Sequence, residues 1–430
     1  MDHRGSGRST FLDCTAAQSI TNGSPRGKEI EPSEVPSCAK VMERKYGDLA
    51  AFSPTSAAKD LITLMSEFSN GENTIVDDSG GTCHSSCPPQ VTGYVLDGIA
   101  STSGAIQYVL QLDRDLGEVA NAFMDLCTQD RGCSSHFKKP HTLASTLRKL
   151  LVDLDNNPNS ACADILANPL IAGINEESAS YSLRVSLAAL LTDSQMWSTI
   201  PPLISRLKRC RPNDVEVVKI FFDTVAQQAD TSNPLDSGVL YYLIVFSEMW
   251  ETPQPSMAEM TKRFTKYGIS SGMYLTTPLS KTCSKYKFGN YDAPGIIYKH
   301  DKYWNARIAI PDQASVLLVS SKMDTQTPHK YAESFLKSLK GDNKELITFD
   351  YSVHGALTST LLETEVPEIE TCGVKLLASY VSSGGDLDSL DKSCLDEMPE
   401  FNLTLNDFHK IMLGGVDAYD GTFELSPGRY

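Results

Sequence analysis

The feature that most constrains this chain is a set of short apolar strand signals, each closed by a polar turn, split into two groups by a long helical stretch. The first group is Thr74–Val76, followed by a turn at Asp77–Gly81, and Tyr94–Leu96, closed by Asp97-Gly98. The second is Ser315–Val319 and Leu346–Phe349, with a helix between them marked by Tyr331, Phe335 and Leu339 at i, i+4 and i+8. Short strands joined through a helix pair in parallel, because a parallel connection must cross back over the sheet. Upstream, residues 55–68 read as an amphipathic helix with Leu61, Leu64, Met65 and Phe68 on one face. The start, to about Pro36, is loop-like and rich in Gly, Ser and Pro.

From 105 to 305 the pattern is helical, with candidate helices over 105–126, 142–154, 180–192, 214–229 and 239–250. Pro201-Pro202 and Asn233-Pro234 break the run. The reading is therefore an α/β core in two pieces, 1–104 and 306–395, with a helical lid of 105–305 inserted between them. The weakly patterned end, 396–430, is expected to wrap the surface.

At 430 residues and 41% hydrophobic, the chain can bury a core with a sizeable insertion. A net charge of −16 repels phosphate backbones, so nucleic acid is not an expected partner. No apolar run is long enough to span a bilayer, and MDHRGSGRST has no apolar segment of the signal-peptide kind. Eleven cysteines and two N-x-[ST] sequons, at Asn22 and Asn402, suit an oxidising compartment. Closeness in sequence pairs Cys14 with Cys38, Cys127 with Cys133, and Cys372 with Cys394. Because the count is odd, at least one thiol is left over.

Three residues follow strands in the order that nucleophilic hydrolysis can use: Ser79 after the first, Asp324 in S-S-K-M-D-T-Q-T-P, and His354 in D-Y-S-V-H-G. A serine needs a base to take its proton, and the base needs an acid to orient it. Asp78-Ser79-Gly80-Gly81 also matches the D-S-G-G of chymotrypsin-like peptidases. Those carry His before Asp before Ser on β-barrels, so that match is coincidental. Cys83-His84-x-x-Cys87 lacks a second ligand cluster, so no metal or other cofactor is expected.

His3-Arg4-Gly5-Ser6-Gly7-Arg8-Ser9 resembles the D-[QH]-R-G-x-G-x-S signature of prolyl and tripeptidyl aminopeptidases. Ser56-Ala57-Ala58-Lys59-Asp60, Val95-Leu96-Asp97-Gly98 and the Asp324 and His354 segments continue the resemblance to about residue 400. It implies an α/β-hydrolase fold with a helical cap, a Ser79–Asp324–His354 triad, an oxyanion donor at the Gly80 N–H, and secretion. The expected substrates are peptides, from whose N-termini short pieces are released. The family places an acidic residue in this part of its cap, which makes Glu248 the candidate for binding the substrate amine.

Three departures weigh against full activity. The family's H-G-G-P-G loop belongs upstream of the first residue here, so the N-terminal strands of the fold are expected to be missing. Losing one oxyanion donor costs roughly 2.7–4 kcal/mol of transition-state stabilisation. The G-x-S-x-G elbow reads Asp77-Asp78-Ser79-Gly80-Gly81, with a charge where the turn is crowded. Pro88 and Pro89 stop the following helix within about two turns. The expectation is a weakly active serine exopeptidase, with an inactive peptide-binding or decoy relative as the alternative. Residue preference and oligomeric state are not legible in the sequence.

Overall fold

A computed structural model describes residues 2–14, 34–68, 74–77, 91–167, 178–228, 236–273, 295–362, 371–415 and 417–422. Among these residues the sheet has four strands: β1 Thr74–Asp77, β2 Val91–Asp97, β3 Ser315–Ser321 and β4 Lys344–Phe349. They lie in the order β1-β2-β3-β4, and every neighbouring pair is parallel. Thus the two sequence groups meet at the β2–β3 seam, where Val95 stands opposite Leu317.

Alternation along the strands builds a core on each face. Val95, Leu317, Val319, Ile347 and Phe349 point one way and pack with Leu376 and Tyr380 of the helix Cys372–Ser382. Tyr94, Leu96, Val316 and Leu318 point the other way and pack with Ala332 and Phe335 of the helix His329–Ser338. All seven residues of β3 are buried, as expected of a strand covered on both sides. The coarse α/β expectation is therefore met. β2 is longer than its sequence signal because Val91 extends the pairing to β1.

The inserted segment is helical, as expected: Leu143–Asn156, Ala179–Leu191, Pro212–Gln228 and Gly238–Glu248 stand where periodicity put them, while the helix expected over 105–126 begins only at Leu112 and runs to Leu126. Thr142, Ser178 and Ser237 each accept the backbone N–H three residues on, which fixes where three of these helices begin. Pro201 and Pro202 do not break the run. They occupy the first turn of the helix Ile200–Arg209, where a missing N–H costs nothing. The other breaker, Asn233-Pro234, lies outside the described residues. A helix also occupies Val35–Tyr46, which periodicity had not marked.

Two packing results differ from the expected division of the chain. Leu12, Cys38, Met42 and Phe52 share a core with Val239, Leu243 and Phe246, so the N-terminal segment packs on a helix of the insertion. The tail is more than a surface wrap. Leu403, Met412, Leu413 and Ala418 are buried among the insertion helices. The fully buried Arg206 holds the tail there, donating to the carbonyls of Ala418 (2.7 Å), Leu413 (3.0 Å) and Gly421 (2.8 Å).

The expected disulfides Cys14–Cys38, Cys127–Cys133 and Cys372–Cys394 are present. A fourth, Cys162–Cys210, joins residues too far apart in sequence for proximity to reveal. Four disulfides among the described residues are consistent with an extracellular protein. Among the described residues, no helix is long and apolar enough to cross a membrane.

Candidate active site

Parallel strands deliver their C-terminal ends to one edge of the sheet, and two of the sequence-marked residues meet there. Asp324 follows β3 in a tight turn and is 2% exposed. Its Oδ1 accepts the N–H groups of Gln326 and Thr327, both at 2.8 Å. Its Oδ2 accepts the Thr327 hydroxyl at 2.6 Å and His354 Nδ1 at 3.0 Å. Burial works to raise this carboxyl. The bonds from His354 and Thr327 outweigh it and hold the group below its ordinary range.

Because a carboxylate only accepts, the shared proton sits on Nδ1 and leaves Nε2 of the neutral ring as a base. The bond to Asp324 raises the pKa of His354 above its ordinary value, against the lowering effect of burial. Thr327 Oγ1 stands 3.1 Å from the same Nδ1, so the hydroxyl braces both partners.

The loop carrying His354 is tied back to the sheet. Asp97, at the end of β2, accepts the N–H groups of Ala356 (3.0 Å) and Leu357 (2.9 Å). Those groups open the short helix Ala356–Ser359 directly after His354. Burial raises the Asp97 carboxyl, and the two backbone bonds oppose that rise. Next to it, Gly98 has φ +67°, and a Cβ there would stand 2.8 Å from His354 Cε1. The imidazole therefore rests on a bare backbone. The sequence showed Asp97-Gly98 as a strand end, but it did not show the service these residues give to His354.

His354 lines a cavity of about 450 Å³ between the sheet edge and the insertion. The walls are mainly apolar and include Val109, Leu112, Leu116, Val245 and Met249. An ion cluster joins the helix Leu112–Leu126 to the first turn of the helix His329–Ser338. The buried Asp115 accepts from Lys330 Nζ at 2.8 Å and from the Tyr331 hydroxyl, and Arg114 pairs with it at 2.8 Å.

Ser79 and Gly80, with Cys83, His84 and Cys87, lie outside the described residues. Glu248 is not among the described residues that line the His354 cavity. Its Oε1 accepts the Tyr298 hydroxyl at 2.6 Å, and burial raises its carboxyl against that bond. Trp197 is buried against Phe123 and Phe401, and Trp250 packs edge-on to Phe246.

Arg4 of the N-terminal motif binds Asp60 of the Ser56–Asp60 motif, with Nη2 to Oδ1 at 2.6 Å. Two segments that carry the family resemblance are thereby in contact. Among the described residues, no group of three or more His, Cys, Asp or Glu is arranged to hold a metal ion. No protein-family model matches the chain, and no curated protein matches it either.

Proposed function

We propose that the chain is a serine exopeptidase-type hydrolase, similar to prolyl and tripeptidyl aminopeptidases, that releases short N-terminal pieces from peptides outside the cell. The observation that carries this reading is the Asp324–His354 pair, 3.0 Å apart after adjacent parallel strands, at the wall of an apolar cavity. In this mechanism His354 Nε2 takes the proton of Ser79 as its Oγ attacks the scissile carbonyl. Asp324 keeps the ring in the required tautomer and stabilises the imidazolium that forms. The imidazolium returns the proton to the leaving amine, and water then releases the acyl group from Ser79. The Gly80 N–H supplies one oxyanion donor. The four disulfides among the described residues support secretion.

A second reading is a peptide-binding relative without turnover. The charge of Asp77, which ends β1 where the nucleophile elbow begins, favours it. One experiment separates the two. The purified chain is treated with a serine-directed fluorophosphonate probe and assayed on aminoacyl and tripeptidyl coumarin amides. Slow hydrolysis with labelling, both lost in Ser79→Ala, is expected. Peptide binding without labelling would favour the second reading, and turnover that survives in Ser79→Ala would defeat the assignment.

A further inference from the structure

The tail carries a motif that the hydrolase chemistry does not use, the sequon Asn402-Leu403-Thr404. It lies in the irregular stretch between the short 3₁₀ helix Ser393–Glu397 and the helix Asp407–Met412. Its middle residue is the anchor. Leu403 is buried among the insertion helices, and its N–H donates to Asp130 Oδ2 at 3.2 Å. Asp130 is itself held in place, because its other oxygen caps the helix Arg131–His136. On either side of Leu403, Asn402 and Thr404 are exposed.

The asparagine amide is already sorted into its two ends. The Thr404 N–H donates to Asn402 at 2.7 Å, and an N–H needs an oxygen to accept it, so Oδ1 is the end engaged. Nδ2 makes no hydrogen bond among the described residues, and neither does the Thr404 hydroxyl. The residue between them is leucine, not proline, so the three positions meet the acceptor pattern for an N-linked sugar.

Building on the extracellular reading above, we infer that Asn402 is an N-glycosylation site. In the transfer, Nδ2 attacks the anomeric carbon of an oligosaccharide carried on a lipid diphosphate. The N–C bond forms, the bond from that carbon to the diphosphate oxygen breaks, the lipid diphosphate departs, and Nδ2 loses one proton. A bulky, hydrated sugar can stay on a folded protein only where the surface leaves room for it. The exposed Asn402 leaves that room, while the buried Leu403 keeps the attachment point fixed to the insertion. Asn402 also lines a shallow cavity of about 200 Å³ with Trp197, Tyr351 and Phe401, and the sugar lies beside its mouth.

The full chain is made in yeast behind a cleavable secretion leader, and the secreted and cell-retained fractions are both digested with trypsin. Peptide N-glycosidase in heavy-oxygen water turns a glycosylated asparagine into a labelled aspartate and leaves a bare one unlabelled. The peptide Ser393–Lys410 is expected to carry the label at position 402 and not at Asn406. Intact Asn402→Gln and Thr404→Ala chains should each be lighter than the parent by one oligosaccharide, and Thr404→Ser should keep it. The peptide measurement uses the parent chain, so it stands even if a variant folds poorly.

An unlabelled Asn402 in that peptide would overturn the inference, as would an intact mass that loses no sugar in Asn402→Gln. Export is read separately. A secreted, disulfide-bonded chain with a bare Asn402 would keep the extracellular reading and remove only the glycan. A labelled chain that stays in the cell with reduced cysteines would keep the site and remove the extracellular reading.

Discussion

Two buried carboxylates in this molecule have nearly the same exposure and different consequences. Asp324 and Asp214 each expose 3% of their side chains. Asp214 faces Arg206, itself 1% exposed, and Arg209, which reaches it at 2.7 Å. The Arg206–Asp214 pair is sealed, its cation does not titrate in the physiological range, and it fastens the tail to the insertion. Asp324 faces His354, whose side chain is 36% exposed and which lines a cavity. Depth of burial is thus a poor marker of a functional carboxylate. The informative property is whether its partner can change charge and still meet a ligand.

The comparison breaks most severely if His354 matters as much for folding as for turnover. His354→Ala is expected to reduce hydrolysis about 10⁴-fold, near 5 kcal/mol of transition-state stabilisation. Because the ring is partly exposed, the thermal midpoint should stay within a few degrees of the parent. Activity assays beside a calorimetric melt measure both quantities. Collapse of the fold would show that the open pair is structural after all.

The sealed pair should give the opposite result. Arg206→Ala leaves Asp214 dependent on Arg209 and strips donors from the carbonyls of Leu413, Ala418 and Gly421. Breaking a buried pair by removing one partner costs roughly 3–5 kcal/mol. Urea unfolding should show that loss, and proteolysis should begin in the tail. Hydrolysis measured well below the melting point should change little.

What the sequence revealed follows the same division. The apolar run Ser315–Val319 and the alternation in Leu346–Phe349 are local signals, so β3 and β4 were legible, and with them the positions of Asp324 and His354 at neighbouring strand ends. Residues whose role depends on long-range approach were silent. Asp97 caps a helix more than 250 positions later, Gln107 reaches Gln326, and Cys162 meets Cys210. Pro201-Pro202 misled because proline ends one helix and starts another equally well, and only the structure shows that here it starts one. The tail was misjudged because its buried residues are spaced irregularly around the Arg206 guanidinium and leave no period to read.

Gly98 sharpens the contrast at smaller scale. Gly98→Ala puts a side chain on a left-handed backbone, costing about 1–2 kcal/mol, and brings a methyl group to 2.8 Å from His354 Cε1. The imidazole must shift, and its bond to Asp324 with it. The expected outcome is a modest drop in the melting midpoint and a disproportionate fall in kcat, with KM nearly unchanged. A loss of activity no larger than the loss of stability predicts would mean that the close packing on His354 does not set its position.

The smallest effect is a pH signature that only the open pair can produce. The folded pKa of His354 is raised above its ordinary 6.5, so the stabilisation from its charge is complete below 6.5 and fades as pH rises through the folded value. The folded pKa of Asp324 lies below its ordinary 3.8, so its contribution is present above 3.8 and is lost as pH falls through the folded value. The two windows overlap between about pH 4 and 6.5, where both groups are charged. Solvent screening of the partly exposed ring limits the effect to about 1 kcal/mol or less. Melts of the parent and of His354→Gln across pH 3 to 9 measure it as a difference that is largest within that overlap and shrinks on both sides. Turnover runs the other way, since the base must be neutral: the acid limb of kcat/KM should lie above pH 6.5. The Arg206 cluster should add no such curvature above pH 4, because its arginines stay charged throughout. A difference between parent and His354→Gln that stays flat across the whole range would show that the imidazole is not coupled to Asp324 in solution, and the distinction between the open and the sealed pair would lose its physical basis.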